Sequence, residues 1–225
     1  MGNEPHAFFD FRKLSDRERY KLLIGTVIPR PIALVTTMSA TGVPNAGPFS
    51  FFNVLTHDPP IVALGVENYP DMRFKDTARN IRETEEFTVH IVSHAMVEQM
   101  EVCAIKFGPD VDELKEAGLE TVPGTMVGSP RILAAPAALE CRRYTTLEVG
   151  RAREIILGEV LGLFVGRDAV SLENLHVDQH HMDAVGRLGG HSYTRTLDQF
   201  EIRTPSVEDW HNLSLIHISE PTRRS

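Results

Sequence analysis

Short blocks of apolar residues, each bounded by turn residues, run along most of this chain. Residues 32–38 are apolar and β-branched and read as a strand, introduced by Pro29-Arg30-Pro31. Thr41-Gly42 and Pro44-Asn45 then signal turns. Residues 46–54 and 61–66 read as the next two strands, separated by Asp58-Pro59-Pro60. Bulky and smaller residues alternate over 87–92, and 133–143, 146–149 and 154–167 complete the set of strands. Helical signals are fewer. Ser15 followed by Glu18 is a capping-box pattern ahead of Leu22-Leu23-Ile24, with Gly25 as the stop. Residues 71–83 form a second helix candidate opened by Asp71. Met96, Val97, Met100 and Cys103/Ala104 recur at helical spacing within 94–106, and 111–117 predicts a short helix. Residues 107–131 are rich in Gly, Pro and acidic residues, and 183–193 is Gly-rich and reads as irregular.

Many short strands with few helices predict a mainly β fold, an antiparallel barrel with helical insertions. No repeat, low-complexity tract or linker interrupts residues 1–210, so one domain is expected there. At 225 residues, 42% hydrophobic and 24% charged, the composition is that of a soluble globular protein with a sizeable core. The net charge of −8 argues against a nucleic-acid binder, whose affinity rests on neutralising phosphates. It leaves room for a small anionic ligand, which needs only a local cation. Cys103 and Cys141 give neither a disulfide framework nor metal-type spacing and read as buried thiols. No apolar run reaches the roughly 18 residues of a membrane span, and the N-terminus shows no secretory h-region. His6 stands where a myristoylation motif would place Ser or Thr after Gly2. A cytoplasmic protein with no membrane or nucleic-acid partner is the expectation. Residues 213–223 read LSLIHISEPTR, a string that looks like one reading frame of a transposase adapter used in short-read library preparation. Residues 211–225 are therefore expected to be a non-native, disordered tail outside the domain.

The candidate chemistry gathers between residues 30 and 77. Thr36 and Thr37 end the first long strand; their hydroxyls suit a ribityl chain or phosphate, or reflect β-propensity alone. Asn45 offers a donor and an acceptor to a pyrimidine-like ring edge, or is a turn residue beside Pro44. Gly47 allows close backbone approach, and Pro48, Phe49 and Ser50 present backbone atoms and a hydroxyl. Phe49, Phe51 and Phe52 supply flat rings, of which at least one must pack in the core because neighbours on a strand face opposite ways. Lys75-Asp76-Thr77 offers a point charge and a hydroxyl to a phosphate; the alternative is an exposed helix face with Lys75 and Arg79 as a like-charge pair. Arg30 is the second candidate cation. His176, His180, His181 and Asp183 cluster in sequence, but no third ligand stands at motif spacing and no metal is expected. There is no GxSxG, HExxH, Walker loop or GxGxxG.

These pieces together resemble the flavin reductase-like family, whose fold is the FMN-binding split barrel. The matching stretches are PRPIALVTT, Gly42-Val43-Pro44-Asn45, Gly47-Pro48-Phe49-Ser50, Asp58-Pro59-Pro60, Lys75-Asp76-Thr77-Ala78-Arg79-Asn80-Ile81 and Arg187-Leu188-Gly189-Gly190-His191-Ser192-Tyr193, in that order. Within the family the chain is most similar to flavoredoxin-like proteins and to reductase components of two-component monooxygenases. The resemblance implies a Greek-key split barrel that binds FMN, with FAD possible, through Arg30, Thr36, Thr37, Asn45, Gly47, Pro48, Phe49, Ser50, Phe51, Lys75 and Thr77. It implies NAD(P)H as co-substrate, a homodimer with sites at the two-fold interface, and an oxygenase or other acceptor as partner. One departure stands out. Many family members carry a Gly-Asp-His just before the strand that holds Gly158-Glu159-Val160, whereas Arg153 and Glu154 stand near that place here. The alternative implied is a flavin-binding electron carrier without NAD(P)H activity of its own.

Overall fold

The computed structural model describes residues 5–108 and 111–211. The expectation for the tail falls, from residue 212 onward, outside the described residues. Helix α1 (Asp16–Thr26) starts where Ser15 and Glu18 complete a reciprocal capping box. β1 (Arg30–Pro31), β2 (Ala33–Met38), β3 (Pro44–Phe49), β4 (Phe52–His57) and β5 (Pro60–Glu67) follow in short order. Helix α2 (Asp76–Thr84) leads to β6 (Glu86–Ile91), α3 (Val97–Val102), α4 (Glu113–Glu116), β7 (Thr121–Val122) and β8 (Arg131–Ile132). The long strands β9 (Ala137–Glu148) and β10 (Arg153–Val165) precede α5 (Gln179–Met182), β11 (Val185–Arg187) and β12 (Tyr193–Arg195).

Seven strands form one antiparallel sheet in the order β3-β2-β6-β9-β10-β5-β4. Its two edge strands, β3 and β4, are consecutive in the chain, so the link Ser50-Phe51 carries the backbone from one edge to the other. There the Gly65 N–H donates to the Phe51 carbonyl at 2.7 Å. The sheet thereby curls into a barrel split along that seam, which protects most of the edge backbone from unwanted pairing.

Both faces of β2 are buried, as its continuous apolar run requires. Ala33 and Val35 join Leu64, Ile81, Phe87, Val89 and Ile156 on one side; Leu34 joins Val92, Met96, Met100, Leu114 and Ile132 on the other. Each fully buried side chain of this size contributes about 1.5–3 kcal/mol. Gly158 lies where β10 slips register against β9, and a Cβ there would sit 2.2 Å from the Phe87 ring. Only glycine lets that ring occupy the barrel interior.

His90 bridges two elements with both ring nitrogens. Nδ1–H donates to the Leu34 carbonyl and the Ile132 N–H donates to Nε2, each at 3.0 Å. That pairing suits the neutral Nδ1–H tautomer, and burial, with a smaller push from Arg131, holds the ring's pKa down to about 4 despite the Leu34 bond.

Several boundaries differ from the sequence reading. The single strand expected over 46–54 is two, because the chain leaves one sheet edge for the other at Ser50-Phe51. The helix expected from Asp71 begins at Asp76, since Tyr69 and Arg73 close a tight turn with Met72 at φ 71°. The helix expected over 94–106 breaks into a 3₁₀ turn and the short α3. Two strands expected over 133–149 are one, β9, which pairs β10 along its length and β6 over residues 137–142. The irregular stretch expected over 183–193 contains β11, which pairs β1 and β12.

Candidate functional site

A cleft of about 900 Å³ opens at the split of the barrel. β3 forms its floor, with the Ser50-Phe51 link; the start of α2, the β9–β10 turn, the segment after α3 and one side of α1 form its walls. Asn45, Gly47, Pro48, Phe49, Ser50, Phe51, Lys75 and Thr77 all line it. β3 reaches the cleft because it is an edge strand, hydrogen-bonded to β2 alone.

The start of α2 is the most polar part of the wall. Lys75 occupies the N-cap position without a side-chain cap bond, so its helix presents first-turn amides and the positive end of its dipole to the cleft. The Lys75 N–H donates to Asn68 Oδ1 at 3.0 Å, and Asn68 Nδ2 donates to the buried Glu154 at 3.0 Å. Glu154 in turn accepts from Arg82 at 2.5 Å. This chain fixes the approach of α2 while leaving the Lys75 ammonium unbonded among the described residues. Burial, reinforced by the charges of Lys106 and Arg153 and opposed by Glu67, holds that ammonium below the usual lysine range.

Asn45 Nδ2 donates to Thr77 Oγ1 at 3.0 Å and to Thr37 Oγ1 at 3.2 Å; Asn80 Nδ2 donates to the same Thr37 hydroxyl at 3.0 Å. Because Thr77 Oγ1 accepts from Asn45, its own O–H remains to be donated elsewhere. A Cβ on Gly47 would stand 3.3 Å from Thr77 Oγ1 and 3.5 Å from the Phe49 ring, filling the space between floor and wall. Phe52 packs in the core, Phe49 packs partly against it, and Phe51 stays half exposed on the cleft wall.

Three sequence candidates stand elsewhere. Thr36 faces away from the cleft, as alternation along β2 requires, and its hydroxyl donates to the Pro130 carbonyl at 2.6 Å. Thr37 lies behind the cleft and supports Asn45. Arg30 is 6% exposed and spends its guanidinium on protein: Nη1 donates to the carbonyls of Ile24 and Val27, and Nη2 to that of Leu188. It satisfies carbonyls at the C-terminal end of α1, and its Nε donates to Oγ of the cleft-lining Ser50 at 3.5 Å, so Arg30 stands behind the cleft wall and not in its lining.

The sequence reading missed Lys106, Arg151 and Glu113, which also line the cleft. Glu113 accepts from the Ala46 N–H at 3.1 Å, and burial raises its carboxyl above the usual range. None of the three belongs to a local motif; only the topology brings them to β3. Cys103 lines the cleft too, but burial pushes its thiol up to about 12, so it stays protonated and unreactive. Of the sequence histidine cluster, His181 bonds Asp178 at 2.8 Å, and no group of metal-binding side chains forms among the described residues. No helix among them is long and apolar enough to cross a membrane.

An antiparallel split barrel with a polar, aromatic-lined cleft at its seam defines the fold class, which it shares with solved split-barrel proteins. Residues 24–185 match the family model described as a flavin reductase like domain, and the chain belongs to that family of flavoprotein oxidoreductases. A Deinococcus radiodurans protein of uncharacterised function is 44% identical over 91% of this chain and 92% of its own length. Among solved structures, the Pseudomonas fluorescens 2-nitrobenzoate 2-nitroreductase is 33% identical, with a TM-score of 0.83, over 89% of this chain and 98% of its own. Nitrilotriacetate monooxygenase component B from Bacillus cereus is 28% identical, with a TM-score of 0.84, over 88% and 98% of the two chains.

Proposed function

We propose that the cleft holds FMN and that the protein is an NAD(P)H-dependent flavin reductase delivering electrons to a partner oxygenase or another acceptor. The observation that carries this reading is the cradle between Gly47 and the uncapped start of α2, where a missing Cβ, a free ammonium and a hydroxyl donor meet. Helix N-termini of this kind favour phosphate, and the residues fit a flavin mononucleotide. Lys75 and Thr77 would hold its phosphate, Asn45 and the backbone of residues 47–50 its polar edge, and the faces of Phe49 and Phe51 would border its ring. Bound FMN supplies two-electron chemistry, accepting a hydride from a reduced nicotinamide and passing electrons on. Tyr20 and Leu23 of α1 line one side of the cleft and would border the bound cofactor. No acid or nucleophile of the chain is needed for this chemistry, in keeping with the lack of a catalytic motif.

One observation favours the carrier reading as the alternative. No histidine lines the cleft among the described residues. Arg153, near the place of the missing histidine, pairs with Glu67 at 2.8 Å, and Glu154 is buried against Asn68 and Arg82. The likeness to a 2-nitrobenzoate nitroreductase adds aromatic nitro compounds to the acceptors worth supplying. The test is an anaerobic spectrum of the FMN-loaded protein before and after NADH or NADPH. Bleaching of the flavin band followed by reoxidation with an acceptor is expected. A flavin band that persists with both nucleotides rejects the reductase reading in favour of the carrier.

A further inference from the structure

The charges in the cleft do not balance locally. Four of its five carboxylates are already paired: Asp16 with Arg19, Glu67 with Arg153, Asp76 with Arg79, and Glu154 with Arg82; the fifth, Glu113, accepts from the Ala46 N–H and has no cation partner among the described residues. Among the described residues, Lys75, Lys106 and Arg151 line the same cleft and have no carboxylate within ion-pair distance. The chain as a whole carries a net charge of −8, so a local excess of cations is not a general property of its surface. Lys106 lies on the segment after α3 and Arg151 on the β9–β10 turn, both exposed at the cleft wall. A half-buried Lys75 at a helix start is matched by one phosphate. That leaves Lys106 and Arg151, both exposed on the cleft lining, without a carboxylate in ion-pair contact among the described residues.

We infer that Lys106 and Arg151 form a second anion subsite, which takes a phosphate of the adenylate half of a dinucleotide. The inference rests on reading the cleft as a flavin site. Arg151 keeps the fork geometry that suits phosphate; Nη2 makes only a long 3.5 Å approach to the Pro70 carbonyl. Tyr69 and Phe107 line the same cleft and offer ring faces for an adenine. The phosphate has two possible sources, the pyrophosphate of FAD or the phosphates of a nicotinamide dinucleotide, the 2′-phosphate of NADPH included.

The test compares wild type with the Lys106→Ala/Arg151→Ala double variant, and with Lys106→Arg/Arg151→Lys as a charge-retaining control. FMN, FAD, ADP and 2′,5′-ADP are titrated calorimetrically into flavin-free protein; NADH and NADPH are titrated into FMN-loaded protein. The double alanine variant is expected to lose about tenfold or more in affinity for at least one adenylate ligand. FMN affinity should move less than about threefold, and the charge-retaining variant should lose clearly less than the double alanine variant, since it keeps both charges but not the Arg151 fork. Loss confined to FAD assigns the subsite to the flavin's own adenylate half; loss confined to NADPH or 2′,5′-ADP assigns it to the nicotinamide nucleotide. Equal losses for FMN and FAD, or no loss for any adenylate ligand, overturn the inference. If no flavin binds the wild type but 2′,5′-ADP binds and is lost in the double variant, the subsite stands and the flavin reading falls.

Discussion

His90 makes the stability of this protein sensitive to mild acid. Its ring is fully buried and both nitrogens are satisfied only in the neutral form, so protonation would set Nε2–H against the Ile132 N–H. The folded pKa is lowered from 6.5 to about 4. The sign follows from linkage: a depressed folded pKa gives stability that is complete above the unfolded value and is lost as pH falls through the folded one. The gap of roughly two and a half units corresponds to about 3 kcal/mol once both states are protonated, and about 2 kcal/mol of it is lost between about pH 7 and about pH 5. That is a large share of the 5–15 kcal/mol typical of a domain. Urea unfolding followed by far-ultraviolet circular dichroism at a series of pH values reads this directly. Fluorescence is a poor probe because the only tryptophan, Trp210, is 62% exposed outside the barrel strands. His90→Gln is expected to lose about 1–3 kcal/mol at neutral pH through disturbed hydrogen bonds, yet to show a flatter dependence over the same window. Glu113 works in the opposite sense: its raised carboxyl contributes stability below the unfolded pKa that is lost as pH rises. Because Glu113 is present in both proteins, the difference between their curves isolates His90. Parallel curves, differing in slope by less than about 0.5 kcal/mol over the window, would refute the reasoning.

Lys75→Ala should weaken FMN by about 1.5–3 kcal/mol, as expected for a charge-assisted bond, and riboflavin much less; equal losses, read by paired calorimetric titrations, would show that Lys75 acts through folding. The protein should be a homodimer at micromolar concentration. β4 and β9 leave Val54, Leu55, Tyr144 and Leu147 half exposed or more, surface that a two-fold partner would bury; light scattering that returns the monomer mass with FMN bound would reject it.

Much of the barrel was legible because its signals are local. The Ser15–Glu18 capping box, the runs of β2, β5 and β6, and the turn residues between them each depend on neighbours a few positions away. The break at Ser50-Phe51 was not, because the residues that weaken a strand, Gly47 and Pro48, stand ahead of it and Ser50-Phe51 itself holds no Gly, Pro, Asn or Asp. The chain leaves the β3 edge there and joins β5, whose Gly65 N–H bonds the Phe51 carbonyl as β4 becomes the other edge, a purely tertiary event. β9 was read as two strands, 133–143 and 146–149, because the apolar run gives way to Arg142-Arg143 at the end of the first and resumes only after Tyr144-Thr145. In the fold Arg143 is held by Glu85 at 2.5 Å, and β10 continues the pairing from there to Glu148. The cleft divides in the same way. Residues 45–51 and 75–77 were legible because each is a continuous motif. The reassignment of Thr36 and Arg30 needed the facing of β2 and the position of α1. Lys106, Arg151 and Glu113 come from three separate connections or short helices and carried no shared pattern.

The central claim is that the cleft between Gly47 and the start of α2 is a flavin site. It is tested most directly by titrating FMN into the flavin-free protein, with heat and flavin fluorescence recorded together. The account predicts saturable binding near one FMN per chain with quenching of the flavin emission. No heat and no quenching with either FMN or FAD would contradict it.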